Sequence, residues 1–137
     1  MQAGLTVQAA RENLAVLRDF VCARLGAAGI PTSAIDDVVQ AVDEAACNII
    51  THGYRGAPGS IHLDLVCDDG TITARLTDQA PLFDPTRLPP AKKDRPPEER
   101  AAGGMGVLLM RAMVDSISYR VTDEGGNELT LQKSYQP

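Results

Sequence analysis

Aromatic residues are scarce in this chain. Among 137 residues there is no tryptophan, with two phenylalanines and three tyrosines. The hydrophobic core must therefore be built from aliphatic side chains, and an apolar content of 44% is enough for a globular protein. A chain of this length predicts one domain that buries roughly two thirds of its unfolded surface.

Cysteines and long apolar runs are also few, which excludes several classes of protein. Three cysteines, an odd number without a Cys-x-x-Cys pair, predict reduced thiols and not a disulfide framework or a zinc site. No apolar run approaches the roughly 20 residues of a membrane span, and no signal peptide is visible. We therefore expect a cytoplasmic protein without a membrane partner.

Basic residues are outnumbered by acidic ones. The 13 Lys and Arg residues against 18 Asp and Glu residues give a formal net charge of -5. Nucleic-acid binding needs clustered basic side chains that neutralise phosphates, so we expect no nucleic-acid partner. The acidic balance fits a basic protein partner, although in most proteins such charge serves solubility alone.

Apolar periodicity divides the chain into helices and strands. Spacings of three and four residues predict helices at 10–25 and 107–114, and a second helix that Pro31-Thr32-Ser33 opens, with its apolar stripe over 35–49. Alternation predicts strands at 61–66, 72–76, 117–121 and 129–131. Hairpins beside segregated helices are typical of an α+β two-layer sandwich, with a mostly antiparallel mixed sheet and helices on one face.

The first candidate for chemistry is a polar pair on the second predicted helix. Glu44 and Asn48 lie four residues apart, so their side chains share one helical face. A solvated polar face is the simpler interpretation. In the alternative, Asn48 binds Mg²⁺ through its amide oxygen while Glu44 transfers a proton. Mg²⁺ prefers oxygen ligands and often takes only one or two from the protein, so the pattern leaves both interpretations open.

Asp78 is the second candidate. It continues the alternation of the inward-facing residues of its predicted strand, and a buried carboxylate is costly unless it is paired or hydrogen-bonded. Asp78 therefore either caps the turn that follows or accepts a hydrogen bond from a ligand amine, such as that of adenine.

The third candidate is the run Gly103-Gly104-Met105-Gly106 before the last predicted helix. Glycines let a phosphate approach the backbone N–H groups of a helix start, and the helix dipole favours an anion there. The run is neither a P-loop nor a Rossmann fingerprint, because the required Lys-Ser/Thr and the βαβ setting are missing. A charged loop with six of the nine prolines precedes it. In the simpler interpretation its basic residues are only the charged part of a mobile loop; in the alternative one of them, Arg100 first, reaches a terminal phosphate when the loop closes.

In this order and setting, the three motifs resemble those of the GHKL class of ATPases. They are most similar to those of the bacterial anti-sigma-factor serine/threonine kinases. Residues 44–54 match the N-box of that family, and residues 78–85 and 103–110 match its two glycine boxes. The resemblance covers nearly the whole chain, which implies a single histidine-kinase-like ATPase domain over 1–137 with a mobile ATP lid at about 85–103.

The resemblance implies ATP and Mg²⁺ as cofactors and a role for each residue. Glu44 would be the general base, Asn48 the Mg²⁺ ligand and Asp78 the acceptor for the adenine amine. Further contacts to the nucleotide would come from the phosphate-binding Gly104 and Gly106, the lid hinge Gly103, Arg100, and Thr130 near adenine.

Ala80 departs from the family pattern, which often has Asp-x-Gly where this chain has Asp78-Gln79-Ala80. A methyl group at this cofactor-binding position would crowd the adenine edge, or restrict a backbone that glycine leaves free to adopt positive φ. We interpret the change as a loss of ATP affinity and not as a loss of the site.

The implied function is that of a Mg²⁺·ATP-dependent serine/threonine kinase. It would bind a sigma factor and phosphorylate an anti-sigma-factor antagonist protein, and the resemblance suggests a homodimer. The alternative is a nucleotide-gated protein-binding module without kinase activity, which Ala80 favours slightly and which Glu44 and Asn48 oppose. A histidine-kinase domain from a longer chain and an α+β domain without a ligand rank lower.

Overall fold

The computed structural model of the chain describes residues 1–87 and 104–136. Its strands are β1 (Gln2–Gln8), β2 (Ser60–Asp68), β3 (Thr71–Asp78), β4 (Ser116–Val121) and β5 (Asn127–Ser134). Its helices are α1 (Leu14–Ala27), α2 (Thr32–Asn48) and α3 (Gly104–Met113). The strands form one sheet in the order β1-β2-β3-β5-β4. The predicted α+β class is confirmed, but all four strand pairings are antiparallel, so the described sheet is not mixed.

The first strand and the start of the first helix differ from the prediction. β1 lies at the edge of the sheet and pairs only with β2, with Leu5 opposite Leu63. Its alternation is weak because Leu5 and Val7 are its only large apolar residues, so its pairing with β2 decides its conformation. Ala10 is extended, with φ -139° and ψ 145°, and a short 3₁₀ turn separates it from Leu14, where α1 begins.

The core lies between the helices and one face of the sheet. Alternate residues of β2, β3 and β5 point toward the helices and are buried: Ile61, Leu63, Leu65, Ile72, Ala74, Leu76, Leu129 and Leu131. In α1, every fourth residue is buried: Leu17, Val21 and Leu25. Together with α2, these side chains belong to the same core as the buried strand residues. The core of the described residues is thus largely aliphatic, as the scarcity of aromatic residues predicts.

α2 is the central helix, because α1 and α3 both pack against it. One of its buried stripes consists of Ala34, Val38, Ala41 and Ala45, at spacings of four and three residues. Asn48 continues that stripe at the last position of the helix, and a π-helical turn over Ile49–Tyr54 follows. A polar side chain is therefore buried at the end of a stripe that is otherwise apolar.

Two further observations bear on function. No helix within residues 1–87 and 104–136 is both long enough and apolar enough to cross a lipid bilayer. In the same ranges, no three His, Cys, Asp or Glu side chains are grouped so that they could hold a metal ion.

Candidate functional site

A cavity opens between the end of α2 and the sheet. It contains about 370 Å³ of space, counting the part that is open to solvent. It is lined by Ala45, Asn48, Ile49, Gly53, Asp78, Phe83, Pro85, Tyr119, Asn127 and Leu129. Its walls combine apolar side chains with a few polar ones, which is the usual composition of a small-molecule site.

Three polar residues in the described part of the chain are buried, and all three line this cavity. Asn48, Asp78 and Asn127 are 7%, 5% and 6% exposed. Buried polar groups are normally hydrogen-bonded, since leaving one unmatched costs about 1–3 kcal/mol. The hydrogen bonds of these three residues therefore indicate what the cavity is built to bind.

Asn48 is the residue with an unmatched group. Its Nδ2 has no hydrogen-bond partner within the residues that the structure describes. The oxygen and nitrogen of a side-chain amide are interchangeable in such an assignment, so either end of the amide can be the unmatched one. An unmatched amide at a cavity wall is suited to bind a ligand. The solvated-face interpretation is wrong for Asn48, because the residue is buried.

Asp78 is the last residue of β3, and its carboxylate is satisfied on one side only. Its Oδ1 accepts hydrogen bonds from Ala80 N at 2.9 Å and from Asn127 Nδ2 at 2.8 Å. Burial raises the pKa of this carboxyl group, and the two hydrogen bonds lower it. Asp78 therefore caps the turn and lines the cavity as well, so the two roles considered for it are compatible.

Asn127 is the residue that sequence reasoning missed. It is the first residue of β5 and lies opposite Asp78 in the sheet register. Asn127 follows two glycines and therefore resembles part of a turn. The signal that would have identified it is its parity, because it alternates with the inward-facing Leu129 and Leu131.

The predicted position of Thr130 beside adenine is wrong. Residues 127 and 130 are an odd number of positions apart, so they point to opposite faces of the strand. Thr130 lies on the face away from the helices, where its Oγ1 accepts a hydrogen bond from Arg75 Nε at 3.4 Å. It is not among the residues that line the cavity.

Ala80 is buried, but its methyl group is not part of the cavity lining. A Cβ atom added at Gly53 would lie 3.2 Å from the Ala80 Cβ, so this methyl group packs against the turn after α2. Arg55 and Asp69 are the non-glycine residues with positive φ in the described ranges, and Ala80 is not one of them. The Ala80 methyl group therefore does not line the cavity, and the Ala80 backbone does not need the positive φ that favours glycine. An effect of Ala80 on ATP affinity stays a prediction.

Tyr54 joins the end of the first motif to the sheet. Its hydroxyl group donates to Ser60 O at 2.8 Å and accepts from Gln79 N at 2.9 Å. Its ring occupies the space that a side chain at Gly59 would need. Tyr54 thus connects the turn after α2 with the start of β2 and with the residue next to Asp78.

Glu44 lies one turn before Asn48 on α2 and is partly buried, but it is not among the residues lining the cavity. Burial raises the pKa of its carboxyl group, and the negative charge of Asp43 raises it further. Asp43 itself pairs with Arg18 at 2.7 Å. A carboxylate with a raised pKa is a better proton acceptor than an ordinary one, as a general base requires.

The glycine run lies at the start of α3. Gly104 and Gly106 are within the first turn of that helix, so the helix starts before the predicted residue 107. Of the predicted lid, Pro85–Arg87 form a 3₁₀ turn, and Pro85 lines the cavity. Gly103, Arg100 and the rest of the lid lie outside the described residues.

Comparison with known proteins agrees with this geometry. Residues 7–133 match the family model described as the histidine kinase-like ATPase domain. The chain belongs to this family. The serine/threonine-protein kinase BtrW of Bordetella bronchiseptica is 33% identical over 96 residues, which are 69% of this chain and 67% of that protein. The anti-sigma F factor of Clostridium botulinum is 30% identical over 127 residues, which are 90% of this chain and 87% of that protein.

A solved structure with the same fold is that of the RsbU and RsbW domains of Rv1364c from Mycobacterium tuberculosis. It matches this histidine kinase-like ATPase domain with a TM-score of 0.71 at 20% identity. The match covers 100% of this chain and 33% of the other chain, so this protein spans about a third of that length. At this identity the likeness shows the fold alone.

Membership of an ATPase family implies the use of ATP, and the cavity residues fit such a ligand. The unmatched atom of Asn48 is Nδ2; with the amide turned by 180° its oxygen takes that position, which suits a hard cation that takes few protein ligands. Asp78 has a second carboxylate oxygen, Oδ2, that forms no hydrogen bond with the residues described. Among the described residues, these two groups fit a metal-bound nucleotide.

Proposed function

We propose that this protein is an ATP-dependent anti-sigma-factor serine/threonine kinase that binds a sigma factor and phosphorylates an antagonist protein of that complex. The observation that carries the proposal is the shared cavity of Asn48 and Asp78, one with an unmatched amide and the other with an unused carboxylate oxygen. Relatives named as a serine/threonine-protein kinase and an anti-sigma F factor support it.

The mechanism assigns binding and proton transfer to different residues. Asp78 Oδ2 would accept a hydrogen bond from the adenine amine, and the Asn48 amide oxygen would hold Mg²⁺. Bound Mg²⁺·ATP supplies the phosphoryl group and charge neutralisation. Glu44 would take the proton of the attacking serine or threonine hydroxyl, whose oxygen forms the new bond to phosphorus while ADP leaves. The raised pKa of Glu44 supports that role.

The remaining parts of the proposal concern the phosphates and the partners. Backbone N–H groups of Gly104 and Gly106, at the start of α3, would contact phosphate. Gly103 would let a lid at about 85–103 hinge over the nucleotide, and Arg100 would reach the terminal phosphate. We propose a single domain over residues 1–137, acting in the cytoplasm as a homodimer.

Nucleotide binding is tested first. Calorimetric titration with ATP and ADP, with and without Mg²⁺, should show binding that tightens when Mg²⁺ is present. Asn48→Ala should remove most of the Mg²⁺ dependence while leaving binding of the base. No heat of binding with either nucleotide would refute every nucleotide-dependent part of the proposal.

Phosphoryl transfer is tested with radiolabelled ATP and purified candidate antagonist proteins. Glu44→Gln should bind ATP within about threefold of the wild type, because the residue lies outside the cavity lining. Transfer should fall by roughly 10²- to 10⁴-fold, the usual contribution of a general base. Glu12→Gln is the matched control, since Glu12 is an exposed carboxylate before α1. A normal transfer rate in Glu44→Gln would refute the assigned role. A wild type that binds ATP and changes its affinity for a sigma factor without any transfer would favour the binding-module alternative.

A further inference from the structure

Asn127 connects Asp78 to the loop after β3 and to Tyr119 of β4. Its Nδ2 donates to Asp78 Oδ1 at 2.8 Å and to Ala80 O at 3.1 Å. Its Oδ1 accepts from Phe83 N at 3.0 Å and from the hydroxyl group of Tyr119. Both ends of the amide are therefore fully used, which is the state expected of a buried polar side chain with a defined role.

These contacts allow one orientation of the Asn127 amide. If its oxygen and nitrogen were exchanged, the oxygen would face the Asp78 carboxylate and the Ala80 carbonyl, which are both acceptors. The nitrogen would face the N–H group of Phe83, which is a donor. The network thus determines the amide orientation, although oxygen and nitrogen cannot be distinguished by shape.

A close approach of β5 to β3 brings Asn127 within reach of Asp78. A side chain at the neighbouring Gly126 would collide with the backbone oxygen of Asp78. Gly126 N also donates a hydrogen bond to Thr122 Oγ1 at 2.9 Å, which stabilises the turn before β5. Asn127 therefore lies directly opposite Asp78 in the sheet register.

We propose that Asn127 is a positioning residue for base recognition: it commits one oxygen of Asp78 to the protein and leaves the other toward the cavity as an acceptor only. An acceptor at that point attracts a base that carries an amine and repels one that carries a carbonyl oxygen. The inference rests on the proposed function, since it names the base preference of the same nucleotide site.

The state of the carboxylate supports this role. Burial raises the pKa of Asp78, and the hydrogen bonds from Asn127 and Ala80 oppose that effect. Without the Asn127 amide, the neutral carboxylic acid gains population, and its hydroxyl group can donate to a carbonyl. Within the described part of the chain, ionisable groups at this network include Tyr119, whose hydroxyl contacts Asn127, and Asp84; burial and then the charges of Asp84 and Asp78 raise the pKa of Tyr119.

The test compares ATP with inosine triphosphate, which has a carbonyl oxygen where ATP has the amine. Calorimetry on the full chain should show that the wild type prefers ATP. Asn127→Ala should weaken ATP binding by about tenfold or more and inosine triphosphate by much less, so that the preference falls. Thr130→Ala, on the same strand but the opposite face, is the matched control and should leave both affinities unchanged.

A second variant covers the case in which Asn127→Ala does not fold. Asn127→Asp keeps the shape and both acceptor contacts but places an oxygen against Asp78 Oδ1. Two carboxyl groups in contact share a proton, which lets Asp78 donate. The preference for ATP should therefore fall in this variant as well, with thermal unfolding as the check on folding.

The outcomes separate this inference from the proposed function. Equal weakening of both nucleotides in the folded variants would mean a merely structural role for Asn127 and would overturn the inference. A wild type that binds both nucleotides equally would also overturn the inference, but it would leave the proposed nucleotide binding intact. A wild type that binds neither would overturn the inference and the proposed function together.

Discussion

Replacing Asp78 with asparagine tests whether the carboxylate is kept for a ligand and not for stability. An asparagine side chain has nearly the same shape, and its amide oxygen can accept the hydrogen bonds of Ala80 N and Asn127 Nδ2. The substitution therefore removes a buried charge and leaves the network intact. We expect the Asp78→Asn protein at neutral pH to be as stable as the wild type, or more stable by about 1 kcal/mol.

The pH dependence of this difference follows from the raised pKa of Asp78. The folded protein holds the neutral carboxyl group more tightly than the unfolded chain, whose pKa is near the ordinary 3.8. The stability linked to Asp78 is thus complete below that value and is lost as the pH rises through the raised pKa. The introduced amide does not titrate, so the stability of Asp78→Asn relative to the wild type should rise over this window and then level off.

Nucleotide binding should change in the opposite direction. A hydrogen bond to a charged acceptor contributes about 1.5–3 kcal/mol, which corresponds to a loss of roughly 10- to 150-fold in ATP affinity. The introduced amide would also turn its N–H group toward the adenine amine, so that two donors face each other. Calorimetry with ATP measures this loss on the same protein that is used for unfolding.

The assay is urea unfolding of both proteins at several pH values from about 4 to about 8, together with the titration. The reasoning is refuted if the stability difference shows no trend with pH, because Asp78 would then not have a raised pKa. It is also refuted if the folded variant binds ATP as tightly as the wild type.

Three further substitutions test the contacts around the site. Tyr54→Phe removes both hydrogen bonds of a buried hydroxyl group and should lower the free energy of unfolding by about 1–3 kcal/mol in urea; an unchanged midpoint would contradict its connecting role. Gly126→Ala should destabilise by about 1–3 kcal/mol or more through overpacking, whereas Gly26→Ala, whose methyl group meets nothing within 4 Å, should be neutral or slightly stabilising. Equal effects of these two would count against the close approach of β5. Gly53→Ala should lower the free energy of unfolding more in the wild type than in the Ala80→Gly protein, because the added methyl group meets the Ala80 side chain. A double-mutant cycle that shows no coupling would disprove that contact.

The fold was predictable where local periodicity is strong. The apolar stripes of α1 and α2 and the alternation in β2 and β3 each contain several large side chains, so their elements follow from spacing alone. β1 was missed because an edge strand with Leu5 and Val7 as its only large apolar residues depends on pairing with β2. The start of α1 was set too early because Ala10 fits the helical spacing but adopts an extended backbone.

The candidate site was predictable in part. Asp78 was found because parity along a strand is a local property that burial then confirms. Asn48 was found because it lies four residues after Glu44 on one helical face. Its burial was not predictable, because it depends on how other elements pack against α2. Asn127 was missed because the two glycines before it resemble a turn, and its contact with Asp78 spans 49 positions of sequence.

Sequence by itself determined the class of fold, the aliphatic core and the motifs that resemble an ATPase, because these depend on residue type and short-range spacing. Tertiary structure alone decided that Asn48, Asp78 and Asn127 share one cavity. The physical reason is that hydrogen bonds between distant segments depend on strand register and on the close approach of backbones. Neither is recorded in the local pattern of apolar and polar residues.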